Sequence, residues 1–169
     1  MSAKKTLLAQ YDLHILLFNN AIKGISDEEA NQNLGAGLNT VKWLAGHLLW
    51  NEGSLANIGG TKVIIPWADH FYSTEGATDE DLNAPKSELP TLEMIKNKWN
   101  EISPAIRAGL ANLSDEALDT TVDIPHPIHR FNDTLAGLWA FTNHHQAYTI
   151  GQIAALRRGL GKPGMSYGG

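Results

Sequence analysis

The chain has 169 residues, a net charge of −5 and no cysteine. This length fits one domain with one core, and the lack of cysteine excludes disulfides, thiolate metal sites and cysteine nucleophiles. Acidic and basic residues are interspersed, whereas a nucleic-acid groove needs clustered cations. No apolar run approaches the ~18 residues of a membrane span. We therefore expect a cytoplasmic protein that binds neither nucleic acid nor membrane.

Four long segments carry the periodicity of amphipathic helices. They span about Lys5 to Lys23, Thr40 to Ile58, Thr91 to Leu113 and Asp133 to Leu160. Gly24 is a candidate C-terminal glycine for the first, and Asp133 is a candidate N-cap for the fourth. Pro104 falls on the solvent face of the third, where we expect a kink.

Two irregular stretches separate these segments. Residues 59–90 are rich in glycine, proline and small polar residues, and they predict a long loop with an extended run at 62–66. Residues 119–132 contain two prolines, which favour a strand or hairpin. The fold class is thus all-α: a four-helix bundle with long crossover connections and short irregular or hairpin segments. The bundle covers residues 1–162, and a glycine-rich tail covers residues 163–169.

Polar side chains interrupt the apolar faces of the second and fourth helices. His47 lies near the middle of the second helix's apolar arc, and His145 lies in the apolar stripe of the fourth. Three further polar residues share that stripe: Thr142, Thr149 and Gln152. Buried polar groups need partners. The pattern predicts either a hydrogen-bonded network of His47, His145, Thr149 and Gln152 or a metal site on facing helices.

A catalytic metal site needs three protein ligands and an open position, and the spacing supplies only two inward histidines. His126 and His129 lie in the proline-rich stretch, where exposure to solvent is favoured over closing across the site. His144 is expected at the edge of the bundle, His14 beside the first helix's apolar stripe, and His70 in a loop.

Four tryptophans lie in the predicted helices. They are Trp43, Trp50, Trp99 and Trp139. Tryptophans more often pack in a core than line a cofactor site. Core packing is therefore favoured, with a pocket wall as the alternative for one of them.

Two segments resemble motifs of the DinB-like family of bacterial helical bundles, the DinB/YfiT superfamily. Residues 39–50, NTVKWLAGHLLW, resemble the family's WLlgHl segment. Residues 144–158, HHQAYTIGQIAALRR, resemble its HeaYHlGQi…lrr segment. The resemblance implies three histidine ligands for a divalent metal, of which His47 and His145 match two while Thr149 stands in the third place. A threonine hydroxyl is a poor ligand for zinc or nickel, so the triad is incomplete.

The family includes metal-dependent thiol transferases, a maleylpyruvate isomerase of related fold and presumed metal hydrolases. We favour a DinB-like protein with a degenerate metal site and no assignable activity, which binds a small ligand. The residues predicted to line its pocket are Trp43, Trp50, Thr142, Tyr148, Thr149 and Gln152. A metal-free site is favoured over one that holds zinc, nickel or iron, because the third histidine is absent.

Two alternatives stay open. The first is a divalent-metal-dependent thiol transferase or hydrolase that uses His47 and His145 with a non-standard third ligand. The second is a structural or interaction module in which the polar groups satisfy one another. Whether the protein is an enzyme is left open. Exposed apolar helix faces in such bundles often pair, which makes a homodimer a further expectation.

Overall fold

The computed structural model describes residues 2–71, 89–123 and 133–168. Its long helices are α1 (Ala3–Ile22), α3 (Val41–Ile58), α4 (Leu92–Asn112) and α6 (Leu135–Gly159). Single-turn helices α2 (Asp27–Ala30) and α5 (Asp115–Leu118) precede α3 and α6, and a 3-10 turn covers Ala68–Phe71. The predicted all-α fold is confirmed, and each long helix ends within two residues of its predicted limits. Residues 72–88 and 124–132, which include His126 and His129, lie outside the described residues.

Threonine side chains begin three of the long helices. The N-caps of α3, α4 and α6 are Thr40, Thr91 and Thr134, and each accepts a hydrogen bond from the backbone N–H three residues later. Such caps satisfy an N–H group that has no partner within the helix. In the same way, Ser26 and Glu29 form a capping box at the start of α2.

The predicted N-cap of the fourth long helix, Asp133, is wrong by one residue. The Asp133 carbonyl accepts a hydrogen bond of 2.8 Å from Val122 N–H. Thr121 and Thr134 form an isolated antiparallel β-bridge. The described residues contain no longer strand pairing than this bridge. This pairing keeps the backbone extended through Asp133, so the helix begins after Thr134.

The long helices form a bundle in which α1 and α3 lie diagonally opposite one another. Each of these two helices packs against both α4 and α6. The largest fully buried side chains include Tyr11, Phe18, Leu48, Ile95, Trp99, Ile106 and Ile153. Phe18 and Trp99 stack with their ring centroids 4.3 Å apart. α4 continues through Pro104, which is exposed as predicted.

Arg157, near the end of α6, joins the C-terminal end of α1 to the segment that follows α6. Its side chain is 8 % exposed. The guanidinium donates to the Pro163 carbonyl at 2.7 Å, to the Ala21 carbonyl at 3.3 Å and to the Lys23 carbonyl. α1 therefore ends against α6, with Gly24 following at a φ of 73°, as expected for a C-terminal glycine.

In the described part of the chain, no helix combines the length and the apolar character that a bilayer crossing requires.

Candidate functional site

The structure brings His47 of α3 and His145 of α6 together. Their ring centroids are 5.3 Å apart, and the planes meet at 62°. Both side chains are half-buried, so part of each residue remains accessible to solvent. This pair forms the centre of the candidate site.

Aromatic rings stack on both histidines. Trp43 and Trp50 stack on His47, with centroids 4.8 Å and 5.5 Å from its ring. Phe141 stacks on His145 at 6.0 Å. Residues three or four apart are neighbours on a helix, and this spacing brings each aromatic residue beside its histidine. Sequence reasoning missed Phe141, although its place four residues before His145 was a usable signal.

The two imidazoles differ in their hydrogen bonding. Nδ1 of His47 lies 2.9 Å from the Phe71 carbonyl oxygen. Because a carbonyl only accepts, Nδ1 carries the hydrogen and Nε2 keeps its lone pair. Nδ1 of His145, in contrast, is buried and has no hydrogen-bond partner. The site therefore contains one oriented imidazole and one with an unmet polar atom.

Both histidines of the pair are neutral at pH 7. Burial lowers the pKa of His47, although its bond to the Phe71 carbonyl opposes this shift. Burial, helped by repulsion from His47 and His144, lowers the pKa of His145 to about 4. Neutral imidazoles offer lone pairs to a hydrogen-bond donor or a metal ion.

The predicted network of His47, His145, Thr149 and Gln152 is wrong, because no hydrogen bond of the described residues joins any two of them. Thr149 is 2 % exposed. Gln152 lies two turns beyond His145, where it lines an apolar groove of about 310 Å³ together with leucine side chains that include Leu34 and Leu156. The helical period predicted that these side chains share one face of the helix, but it could not predict which hydrogen-bond partners their polar atoms have.

Two other predicted lining residues, Thr142 and Tyr148, have no hydrogen bond to either histidine of the pair. The Thr142 hydroxyl is buried and donates to the Leu138 carbonyl of its own helix at 2.9 Å. Tyr148 is 65 % exposed on the surface of α6. Trp43 and Trp50 are predicted lining residues that do stack on a histidine ring.

The described residues do contain a group of buried hydrogen bonds between α1 and α6. Nδ1 of His14 donates to Oε1 of Gln146 at 3.0 Å, and Nδ2 of Asn143 donates to the Leu7 carbonyl at 3.1 Å. His14, Gln146 and Asn143 are all buried. The buried face of α6 includes Gln146, the residue next to His145. The narrow apolar stripe inferred from the sequence did not predict that Gln146 is buried.

The remaining predicted aromatic residues belong to the core. Trp99 stacks on Phe18, and the edge of Trp139 meets Tyr11 at a centroid distance of 6.1 Å. Asn51, which sequence reasoning missed, lies one turn after His47 on α3, and its Oδ1 is buried without a partner. A polar residue four positions after His47 was the signal for it.

A family model of the DinB superfamily matches residues 10–153. The chain belongs to the DinB superfamily. The DinB match contains residues 39–50 and the first part, residues 144–153, of the second motif segment, together with His47, His145 and Thr149. A conserved protein from Enterococcus faecalis, known from a crystal structure, has a similar fold. The TM-score is 0.70, and the alignment covers 95 % of this chain and 98 % of that chain at 14 % identity. No curated protein sequence matches this chain.

The metal implied by the DinB resemblance can be tested against the donors present. Two imidazoles on one tetrahedral zinc, each with a bond of about 2.1 Å, place their ring centroids about 5 Å apart. The His47–His145 spacing of 5.3 Å fits this arrangement. However, the described residues contain no group of three histidine or acidic side chains that could hold a metal ion. The donors thus supply two of the three protein ligands that a catalytic site needs and leave the set incomplete.

Gly46 makes room for Phe71, whose carbonyl orients His47. A Cβ at Gly46 would clash with the Phe71 ring, and Phe71 is 3 % exposed. We expect Gly46→Ala to lower the free energy of unfolding by about 1–3 kcal/mol and to shift the 15N resonances of the His47 imidazole. Urea unfolding and NMR measure the two effects.

The matched control is Gly151→Ala on the exposed side of α6, where a Cβ would meet nothing within 4 Å. It should stabilise the protein by about 0.5–1 kcal/mol, because alanine favours a helix. If Gly46→Ala behaved like this control, Phe71 would not be fixed by α3.

Proposed function

We propose that this DinB superfamily protein binds a small organic ligand, without a metal, at the His47–His145 pair. The observation that carries the proposal is the unpartnered, buried Nδ1 of His145 within an aromatic-walled site. An unmet buried polar atom costs about 1–3 kcal/mol. A ligand that supplies its partner recovers this free energy on binding, which favours the bound state.

The chemistry of the site narrows the class of ligand. Nε2 of His47 is an acceptor, because Nδ1 holds the hydrogen, and both rings are neutral at pH 7. Trp43, Trp50 and Phe141 supply apolar faces. These features favour a small molecule with an apolar or aromatic body and one hydrogen-bond donor, such as a thiol or a hydroxyl.

The test compares phenylmethanethiol, phenylmethanol and toluene, which share a body and differ in the donor. Tryptophan fluorescence and the imidazole 15N resonances are followed during titration, with and without a chelator. The proposal expects saturable binding of the thiol and the alcohol, weaker binding of toluene, and no effect of the chelator. Equal binding of all three, or binding that the chelator abolishes, would rule it out.

His145→Leu tests the cost of the unpartnered atom in the ligand-free protein. We expect its free energy of unfolding to equal or exceed that of the wild type at pH 7, because leucine removes an unmet polar atom. The pKa of His145 is about 4, lowered from 6.5. Its neutral form therefore stabilises the fold above pH 6.5, and this contribution is lost as the pH falls towards 4. The advantage of His145→Leu should grow in that window.

His47→Leu is the matched control for this measurement. It leaves the Phe71 carbonyl without its donor, and we expect a loss of about 1–2 kcal/mol. Urea unfolding at several pH values measures both variants. A large loss in His145→Leu would show that the His145 ring is satisfied within the fold.

The spacing of the two rings favours a second candidate, a divalent-metal-dependent thiol transferase or hydrolase. His47 and His145 would be ligands, and His126, His129, water or substrate would complete the set. The metal would lower the pKa of a bound thiol or water. Elemental analysis of protein purified without a histidine tag tests this candidate. Stoichiometric zinc, nickel or iron would support it, and substoichiometric metal would count against it.

A further inference from the structure

A buried pair of titratable side chains lies at the centre of the bundle, apart from the histidine site. Tyr11 of α1 is 0 % exposed and Glu52 of α3 is 1 % exposed. The Tyr11 hydroxyl donates to Oε1 of Glu52 across the diagonal of the bundle. Oε2 of Glu52 is buried and has no partner. The carboxyl group therefore depends on one neutral hydrogen-bond donor.

Two side chains that contact Tyr11 are uncharged. Trp139 of α6 meets the Tyr11 ring, and Ser103 of α4, a further hydrogen-bonding neighbour of Tyr11, donates to the Trp99 carbonyl.

The nearest titratable groups on the same helices have partners elsewhere. Asp12 pairs with Arg107 of α4, and His14 pairs with Gln146 of α6. On α3, His47 is five residues before Glu52 and bonds to the Phe71 carbonyl. Tyr11 is the titratable neighbour that acts on the Glu52 carboxyl group.

Burying an unpaired carboxylate is costly, because its charge loses the hydration of water. We propose that the native fold holds Glu52 as a neutral acid and that deprotonation loosens the contact between Tyr11 of α1 and Glu52 of α3, carrying His47 with it. The proton leaves to solvent, and the resulting carboxylate must gain water at the centre of the bundle. Because Glu52 and His47 share one helix, this rearrangement reaches the histidine pair.

The direction of the pH dependence follows from the burial of Glu52. Burial raises the pKa of its carboxyl group from 4.5 to about 8, although the hydrogen bond from Tyr11 opposes the shift. The neutral acid thus stabilises the fold fully below pH 4.5, and this contribution is lost as the pH rises to about 8. Over the same interval the Tm of the wild type should fall by about 5 °C or more.

Three variants test the proposal by thermal unfolding between pH 5 and pH 9. Glu52→Gln keeps the shape of the side chain and cannot ionise. Its Tm should therefore lack the fall between pH 5 and pH 9 that the wild type and the control variant show. Tyr11→Phe removes the donor that favours the carboxylate, so its fall in Tm should move to higher pH. Glu101→Gln, at an exposed glutamate of α4, is the control and should keep the profile of the wild type.

NMR of the wild type gives an answer that does not depend on any variant folding. The 13C resonance of the Glu52 carboxyl group should titrate well above the ordinary range of a glutamate. The imidazole 15N resonances of His47 and His145 should change with this titration near pH 8, which is above the ordinary value of 6.5 from which burial lowers the pKa of both rings. They should not change in Glu52→Gln. A Glu52 carboxyl that titrates near 4.5, or a Glu52→Gln profile equal to that of the wild type, would overturn the proposal.

Discussion

Replacing Thr149 with histidine is expected to create a strong divalent-metal site. Thr149 lies one turn after His145 on α6 and is 2 % exposed, so an imidazole there lies beside His145. We expect zinc or nickel to bind Thr149→His about 100-fold more tightly than the wild type or better. Removing a residue that only hydrogen-bonds to a metal ligand already lowers metal affinity by about 10- to 100-fold, so adding a direct ligand should have at least this effect. Isothermal titration calorimetry of the two untagged proteins measures the difference.

Thr149→Leu is the control for this variant, because leucine has a similar bulk and no nitrogen. In the metal-free state both larger side chains should cost about 1–3 kcal/mol, and zinc should raise the Tm of the histidine variant alone. The affinity should fall at acid pH as the imidazoles gain protons, and burial places this fall for His47 and His145 below their ordinary pKa of 6.5. Equal affinities for the wild type and Thr149→His, or tight binding by the wild type, would show that Thr149 does not stand in the third ligand position.

Replacing Arg157 with methionine is expected to lower the free energy of unfolding by about 3 kcal/mol. Methionine keeps much of the length of the side chain but leaves the carbonyl groups of Ala21, Lys23 and Pro163 without their donor. Hydrogen bonds to a charged group contribute about 1.5–3 kcal/mol each, and a buried carbonyl left unpaired adds a penalty. The last turn of α1 has no basic residue of its own, so Arg157 also supplies the cation that a helix C-terminus favours.

The adjacent Arg158 provides the matched control, because it is exposed. Arg158→Met should change the free energy of unfolding by less than about 0.5 kcal/mol. Arg157→Lys should recover part of the loss, since an ammonium group cannot reproduce the fork of a guanidinium. Urea unfolding followed by circular dichroism gives the three values. Similar values for the two methionine variants would mean that the contacts between Arg157 and the end of α1 do not stabilise the fold.

The fold was predictable because its signals are local. The period of apolar residues located α1, α3, α4 and α6, and Gly24 marked the end of α1. The N-cap of α6 was misplaced because the choice between Asp133 and Thr134 depends on pairing with residues 121–122, which no local rule detects.

The candidate site was predictable in its centre and less so in its surroundings. The apolar arcs of two helices placed His47 and His145 opposite one another. Which polar atoms find partners depends on the neighbouring helix, and for that reason Gln146 bonds to His14 while Gln152 lies in an apolar groove. The Tyr11–Glu52 pair was missed for the same reason, because its two members are 41 residues apart in the sequence.

The contacts of Arg157 also bear on the order in which the chain assembles. The carbonyl groups that it caps at the end of α1 precede it by 136 and 134 residues. During synthesis, nearly the whole bundle is made before the first helix receives this cap. Contacts between such distant residues slow folding, because a long loop must close before they form. Of the four long helices, α1 therefore receives its C-terminal cap from the one that is synthesised last, α6.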